Sequence, residues 1–362
     1  MTLFLVNVEQ YGQYFFKMKN FARFATGIFL IAIFLVLAPS SIGQRTFVNI
    51  AESDKGKPQG ETRPIRGIYL HSRAISVDNV TDWISVLKEH DFNGVVINVK
   101  NVSGEVTYSS DVELAEEMGA ETGRLELDKI VKELHKAGIY AIARLTCFKD
   151  PVMAARCCGG GLWADPESPL AQEYNISLAQ EVATMGFDEI QLDYIRYSDG
   201  PGKIGGNYEA RSKVIANFVE ELRREIPAHV KLSADVYGRT LWKWNSRNID
   251  PIGQNLEYLE EHTDFLSPMI YPSHYQDPDL VYNPRKLVDL SLKSGKERLT
   301  VPLRPFIQGF EQAMPSGMDL VEYIKEELRA LKKHEEDGFL VWNPRSDYGS
   351  LWKAVSGMQA GQ

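Results

Sequence analysis

Gly94-Val95-Val96-Ile97 and Phe339-Leu340-Val341-Trp342 are short runs with no polar side chain at any position. A strand with one face in water alternates polar and apolar residues, because successive side chains point to opposite faces. A run that is apolar throughout is covered on both faces, as in a parallel sheet flanked by helices. Six more candidate strands begin near Gly67, Ile139, Glu189, Val230, Phe265 and Leu299. Successive starts lie 27 to 50 residues apart, room enough for the crossover helix that parallel strands require.

Helical periodicity fills the gaps. Val80, Trp83, Ile84 and Leu87 share one face, as do Leu127, Ile130, Val131 and Leu134. A third stripe runs Ile215, Phe218, Val219, Leu222, and a fourth Leu320, Val321, Ile324, Leu328, each at the spacing of a helix with one buried side. Ser168 before Pro169 reads as a cap and a first-turn proline, and Gly186 and Gly338 sit where helices end. Eight alternating units close as an α/β fold, the (β/α)₈ TIM barrel. An open doubly wound sheet is the rival, but no G-x-G-x-x-G follows the first strand.

The 362 residues exceed the ~250 of a typical single barrel, and the surplus lies at the N-terminus. Lys17, Lys19 and Arg23 precede an apolar run from Ile28 to Leu37, followed by Ser41-Ile42-Gly43 with small residues at the cleavage positions. That is the layout of a secretory signal, with a core short for a bilayer span. Residues 1–44 are read as a signal peptide, with Met18 an alternative start, and 45–63 as a polar linker. Residues 64–356 form the barrel. The expected destination is periplasmic or extracellular, without stable membrane insertion after cleavage; the alternative is an uncleaved N-terminal anchor. A net charge of -9 supplies no basic face for nucleic acid. Of three cysteines, adjacent Cys157 and Cys158 have no zinc-ligand spacing. Export permits a disulfide from Cys147 to one of them, leaving one thiol.

Barrel active sites form at the C-terminal ends of the strands. The polar residues expected there are His71, Asn98, Lys100, Arg144, Asp193, Arg196, Asp235, Tyr237, Tyr271, His274, Arg304, Gln308 and Asn343, with Trp342 as an aromatic neighbour. Asp193 and Asp235 end neighbouring strands four and five. Glycoside hydrolysis needs two carboxyl groups flanking one bond, which makes these two the candidate catalytic pair. Arg196 and Arg144 are candidate counter-ions for Asp193, and Asp235 is the candidate acid. Lys100, Arg144, Arg196, Tyr237, Tyr271, His274, Arg304, Trp342 and Asn343 are candidate substrate contacts. Lys100 and Arg144 could instead fill the barrel as ion pairs. His71 and His274 lack ligand spacing, so no metal or cofactor is expected.

The runs FKDPVMA, GLWADP, GFDEIQLDYIRY, LSADVYG, IGQNLEYL, DFLSPMIYPSHY, LRPFIQGF and GFLVWNP resemble, in order, a bacterial family of exported glycoside hydrolases. That family is related at fold level to the alpha-amylase clan, and the resemblance spans Arg66 to Tyr348. It implies a (β/α)₈ barrel and a carbohydrate substrate. By analogy with the clan, the acid ending strand four is the nucleophile, Asp193, and the one ending strand five is the proton donor, Asp235, where amylases carry Glu. The family favours acids near Asn98 and Asn101, which this chain lacks. FDEIQLDYI also resembles the chitinase pattern D-x-x-D-x-D-x-E. Asp188 and Asp193 match it, but Gln191 and Ile195 replace the second Asp and the Glu, which argues against chitinase chemistry. The expected activity is hydrolysis of glycosidic bonds in a polysaccharide or oligosaccharide outside the cytoplasm. The alternatives are a non-catalytic carbohydrate-binding barrel, or a transglycosidase or lyase on the same fold.

Overall fold

In a computed structural model, residues 63–199, 207–275, 277–334 and 338–360 are described; the expected signal peptide and nearly all of the linker lie outside them. Eight strands form one closed parallel barrel in sequence order. They are β1 (Arg66–Leu70), β2 (Gly94–Lys100), β3 (Tyr140–Thr146), β4 (Glu189–Asp193), β5 (Lys231–Tyr237), β6 (Phe265–Met269), β7 (Phe306–Gln308) and β8 (Phe339–Trp342). β8 closes on β1 through Gly67 opposite Leu340. The helices are α1 (Val80–Glu89), α2 (Glu113–Glu117), α3 (Leu127–Lys136), α4 (Pro151–Cys157), α5 (Pro169–Thr184) and α6 (Tyr208–Glu225). After them come α7 (Leu256–Leu259), α8 (Pro278–Val281), α9 (Pro284–Lys296), α10 (Leu320–Leu331) and α11 (Gly349–Gln359).

The helices start where side chains can satisfy free N–H groups. Ser168 Oγ accepts from Ala171 N–H at the head of α5, Asn207 Oδ1 from Ala210 N–H at α6, and Asp319 Oδ1 from Glu322 N–H at α10. Between strands and helices lies the main core, to which α3 contributes Leu127, Ile130, Val131 and Leu134, all buried. A second cluster, Tyr69, Val96, Ile142, Tyr271, Phe306 and Leu340, fills the barrel interior. Among the described residues no helix is long and apolar enough to cross a membrane. α11 runs to Gln359, three residues past the expected domain end.

Seven of the eight strands begin within two residues of the expected starts; β7 does not. It begins at Phe306 rather than near Leu299. The apolar stretch before it is held as a loop by side chains of other elements. Glu260 Oε2 accepts from the N–H groups of Thr300 and Val301, and Pro302 has no N–H to give a ladder. Leu303 makes one isolated bridge to Leu266 before the strand proper. The disulfide from Cys147 that export permits is not formed. Cys147 is a buried free thiol, and Cys157 and Cys158 are bonded to each other at the end of α4.

Candidate active site

The barrel interior is layered, as period-2 strands require. At the base, Glu189 accepts from Arg304, Ser233 and Tyr140 side chains. Gln191 Nε2 donates to Ser267 Oγ at 3.2 Å one layer up. The top layer brings together Asn98, Arg144, Asp193, Asp235, Met269, Tyr69 and Trp342. It floors a cavity of about 160 Å³ lined by Arg144, Asp193, Tyr194, Asp235, Met269, Tyr271, His274, Phe306, Phe310 and Trp342. A larger cavity of about 330 Å³ opens at the other end of the barrel, around Phe92, Phe339, Val355 and Met358. No carboxylate lines it, so it cannot supply a catalytic pair.

Arg144 organises the top layer. Its Nη1 donates to Asn98 Oδ1 at 2.6 Å, and its Nε donates to Asp193 Oδ2 at 3.0 Å, with Nη2 on the same oxygen. The same Nε is 3.9 Å from Asp235 Oδ2. Sharing one nitrogen, the two carboxylate oxygens are at most about 6.9 Å apart. Burial works against the Arg144 charge, but Asp193 and Asp235 outweigh it and hold the guanidinium above its usual range. Asp193 Oδ1 accepts a second bond, at 2.6 Å, from the N–H of Tyr194. Tyr194 has φ of 53°, a left-handed conformation that costs a non-glycine residue energy. That turn ends the strand and faces the backbone donor toward the carboxylate.

Asp235 has a different environment. It is 1% exposed, its Oδ1 has no partner, and no described residue donates a hydrogen bond to its side chain. Burial first, then the Asp193 charge, push its carboxyl well above the usual range, and the more distant Arg144 only partly offsets them. Tyr271 beside it is likewise pushed up, by burial and by the two aspartates. His274 sits at the rim. Loss of solvent on its inner side, with Arg239 and Arg196 nearby, lowers its imidazole to about 4. Among the described residues no group of three or more His, Cys, Asp or Glu is placed to hold a metal ion.

The cavity thus gathers Asp193, Asp235, Arg144, Tyr271, His274 and Trp342 from the expected set. Arg196 and Tyr237 lie behind its wall. Arg196 is stacked 4.5 Å from Trp163 and 4.7 Å from Tyr237, donates to Tyr237 Oη at 3.0 Å, and pairs with Asp199 rather than Asp193. Three expected contacts are elsewhere. Lys100 follows a register shift after Asn98, so it lies opposite outward-facing Leu145; a bulge of this kind sends a side chain to the other face. It is fully buried against Asp150 (2.6 Å) and Asn175 (2.9 Å) in the helix layer. Arg304 precedes β7, so the late start of that strand puts it at the base with Glu189, not at the mouth. Asn343 is committed to the loop after β8, where it donates to Gly309 O and accepts from the N–H groups of Arg345 and Asp347. The sequence reading missed Tyr194, Met269, Phe306 and Phe310 as cavity walls. Met269 and Phe306 are opposite one another in β6 and β7, and two-residue alternation from Ser267 would have placed Met269 inside.

Several solved structures are similar to this chain. The glycoside hydrolase domain of PgaB (BpsB) from Bordetella bronchiseptica is 13% identical, with a TM-score of 0.57 over 81% of this chain and 98% of that one. The endo-1,4-beta-mannanase of Rhizomucor miehei is 13% identical, with a TM-score of 0.56 over 84% of this chain and 96% of that one. A hypothetical protein from Ruminiclostridium thermocellum is 30% identical over 47% of this chain and 97% of its own, with a TM-score of 0.41. At 13% identity the first two likenesses establish the fold alone. A comparison with curated proteins finds none that matches. Residues 67–348, nearly the whole barrel, match the family DUF4015, "Putative glycosyl hydrolase domain", and the chain belongs to that family.

Proposed function

We propose that the protein hydrolyses glycosidic bonds of a carbohydrate outside the cytoplasm, with Asp235 as general acid and Asp193 as nucleophile or base. The observation that carries this reading is the asymmetry of the pair about Arg144. Asp193 accepts charge-assisted bonds from the Arg144 guanidinium and a further bond from Tyr194 N–H. Asp235 is buried without a donor and faces the Asp193 charge, which favours the neutral acid. A glycosidase requires this division of labour at one pH. In the reaction the Asp235 proton passes to the leaving oxygen as the bond to the anomeric carbon breaks. Asp193 stabilises the positive charge growing on the ring, then bonds to that carbon or takes a proton from the attacking water. The bound of about 6.9 Å between their oxygens is compatible with the spacing of catalytic pairs, ~5–5.5 Å for retaining enzymes and ~6.5–9.5 Å for inverting ones.

The cavity volume suits a single sugar ring, with Tyr271 and Trp342 as apolar walls. The substrate reading rests on this and on the family. Action outside the cytoplasm rests on the basic segment and apolar core of residues 17–37. Reducing-sugar release from a polysaccharide panel by wild type, and its loss in Asp193→Asn and Asp235→Asn, tests the activity. N-terminal sequencing of exported protein tests the location, with a start near Gln44 expected.

A further inference from the structure

GLWADP, residues 161–166, lies outside every strand and helix, and the catalytic pair does not use it. It belongs to the connection between α4 and α5, on the strand-end face of the barrel. There it lines a second cavity of about 470 Å³, against about 160 Å³ for the one at Asp193 and Asp235. Tyr197 and Ser198, from the segment after β4, and Arg211 of α6 complete the lining. The two cavities are neighbours. Trp163 lies edge-on to Tyr194 with ring centres 5.7 Å apart, and Tyr194 lines the cavity at Asp193. A chain of sugar rings that leaves Asp193 past Tyr194 therefore meets Trp163 next.

The loop is fastened at several points. Cys157 and Cys158 are bonded to each other, and Cys158 Sγ accepts from Asp165 N–H at 3.3 Å, which ties one end of the loop to the other. Gly160 N–H donates to Ala154 O and Ala164 N–H to Phe148 O, both at 2.9 Å. Gly160 and Gly161 have φ of 101° and 108°, a region that residues with a Cβ rarely adopt, and they leave bare backbone on the cavity surface. A loop ordered in advance spares a ligand the entropy of ordering it. The side chains it presents suit a hydroxyl-rich ligand. Half-buried Trp163 offers an aromatic surface, with the Arg196 guanidinium 4.5 Å from its ring. Asp165 and Glu167 are exposed beside it. Asp165 Oδ1 accepts from Glu167 N–H at 3.0 Å and Glu167 Oε1 from Tyr197 Oη at 2.9 Å, and neither enters an ion pair among the described residues. Arg211 donates to Pro251 O at 2.9 Å and lies 4.9 Å from the Tyr197 ring. Carboxylate oxygens accept from hydroxyl groups while an aromatic ring covers the apolar face of a sugar.

We propose that the cavity at Trp163 is a second glycan-binding site, which holds uncharged sugar rings of the same chain whose cleaved ring sits at Asp193 and Asp235. The substrate is then an extended chain rather than a disaccharide. The proposal rests on the glycosidase reading only for where the chain is cut; binding tests it independently. Calorimetric titration would use the Asp193→Asn protein, so that no ligand is consumed, with the dimer and the hexamer of manno-, cello-, malto- and N-acetylchito-oligosaccharides. At least one hexamer should bind several-fold more tightly than its dimer. Trp163→Ala and Glu167→Ala, each added to the same protein, should weaken the hexamer several-fold, as loss of an aromatic contact does, and leave the dimer unchanged. Glu167 is exposed, so its variant decides the matter if Trp163→Ala fails to fold. Binding by no oligomer, equal affinity for dimer and hexamer, or a hexamer advantage intact in every folded variant would overturn the proposal. So would equal weakening of dimer and hexamer, which would make Trp163 a support of Tyr194 and Arg196 alone. A hexamer advantage that both variants lose, with no reducing ends released by the wild type, would leave the site standing and count against the hydrolase reading. Release of reducing ends from dimer and hexamer at equal rates, unchanged in both variants, would do the reverse.

Discussion

Asp235 Oδ2 lies 3.9 Å from Arg144 Nε, inside the range of a strong charge interaction but beyond that of a hydrogen bond. The guanidinium spends its directed bonds on Asp193 and Asn98. One cation therefore serves two carboxyl groups unequally, and burial together with the Asp193 charge raises the pKa of the less favoured one.

The first prediction follows from that inequality. A general acid with a raised pKa is competent below it, so the wild-type rate should fall as pH rises through the Asp235 pKa. Asp235→Asn should remove that alkaline limb and reduce kcat by several orders of magnitude with substrate still bound. An Asn variant that keeps more than about a tenth of the wild-type kcat has lost under ~1.4 kcal/mol of barrier, and its residue is then not the catalyst. A leaving group that needs no protonation should restore rate to Asp235→Asn but not to Asp193→Asn.

Much of this was legible from the chain because it depends on local pattern. Runs apolar on both faces mark strands of a covered parallel sheet, and Arg144, Asp193, Asp235 and Trp342, at or near the ends of β3, β4, β5 and β8, line the cavity as expected. The failures arise where long-range contacts decide. Nothing local to Leu299 shows that Glu260 will capture the amides of Thr300 and Val301, and that capture moves β7 and with it Arg304. Nor does the Val99–Lys100 sequence announce the register shift that turns Lys100 into the helix layer. Closeness in sequence makes Arg196 the expected partner of Asp193, but beyond the turn at Tyr194 it lies behind the wall and pairs with Asp199.

Lys100 supplies a second prediction, because its role is structural. Its ammonium is fully buried against Asp150, whose other oxygen caps α4 through Met153 N–H at 2.8 Å. Lys100→Met would strand a buried carboxylate, a loss of about 3–5 kcal/mol by analogy with other broken buried pairs. Denaturant unfolding should show that loss, and the folded fraction should keep the wild-type KM. A raised KM with unchanged stability would return Lys100 to the binding site.

Trp342 tests the aromatic wall. It stacks on Tyr69 with ring centres 3.8 Å apart and lies 5.0 Å from the Arg144 guanidinium, while its indole also borders the cavity. Stacking on a sugar ring is worth on the order of 1 kcal/mol by comparison with aromatic pairs. Trp342→Ala should therefore raise oligosaccharide Kd several-fold and affect kcat less. Unchanged Kd with a sharply lower Tm would make it a core residue only.

The last prediction concerns a buried acid away from the cavity. Glu327 on α10 is 0% exposed; one oxygen accepts from Gln308 N–H at 3.1 Å and the other has no partner. Burial pushes its carboxyl well above the usual range, and the single backbone bond offsets this only in part. In the unfolded chain the same group titrates near the ordinary Glu value, ~4.3. Between the two pKa values the folded state binds the extra proton. The stabilising contribution is then complete below the unfolded pKa and is lost as pH rises through the folded one. Glu327→Gln keeps an oxygen for the Gln308 N–H and removes the ionisation. The variant should lose less Tm than wild type as pH is raised from acid to alkaline, so that the gap between the two curves shifts in its favour. Asp235 adds a slope of the same sign to both proteins, so the difference between the curves isolates Glu327. Parallel curves across that range would show that Glu327 has no raised pKa in the folded protein.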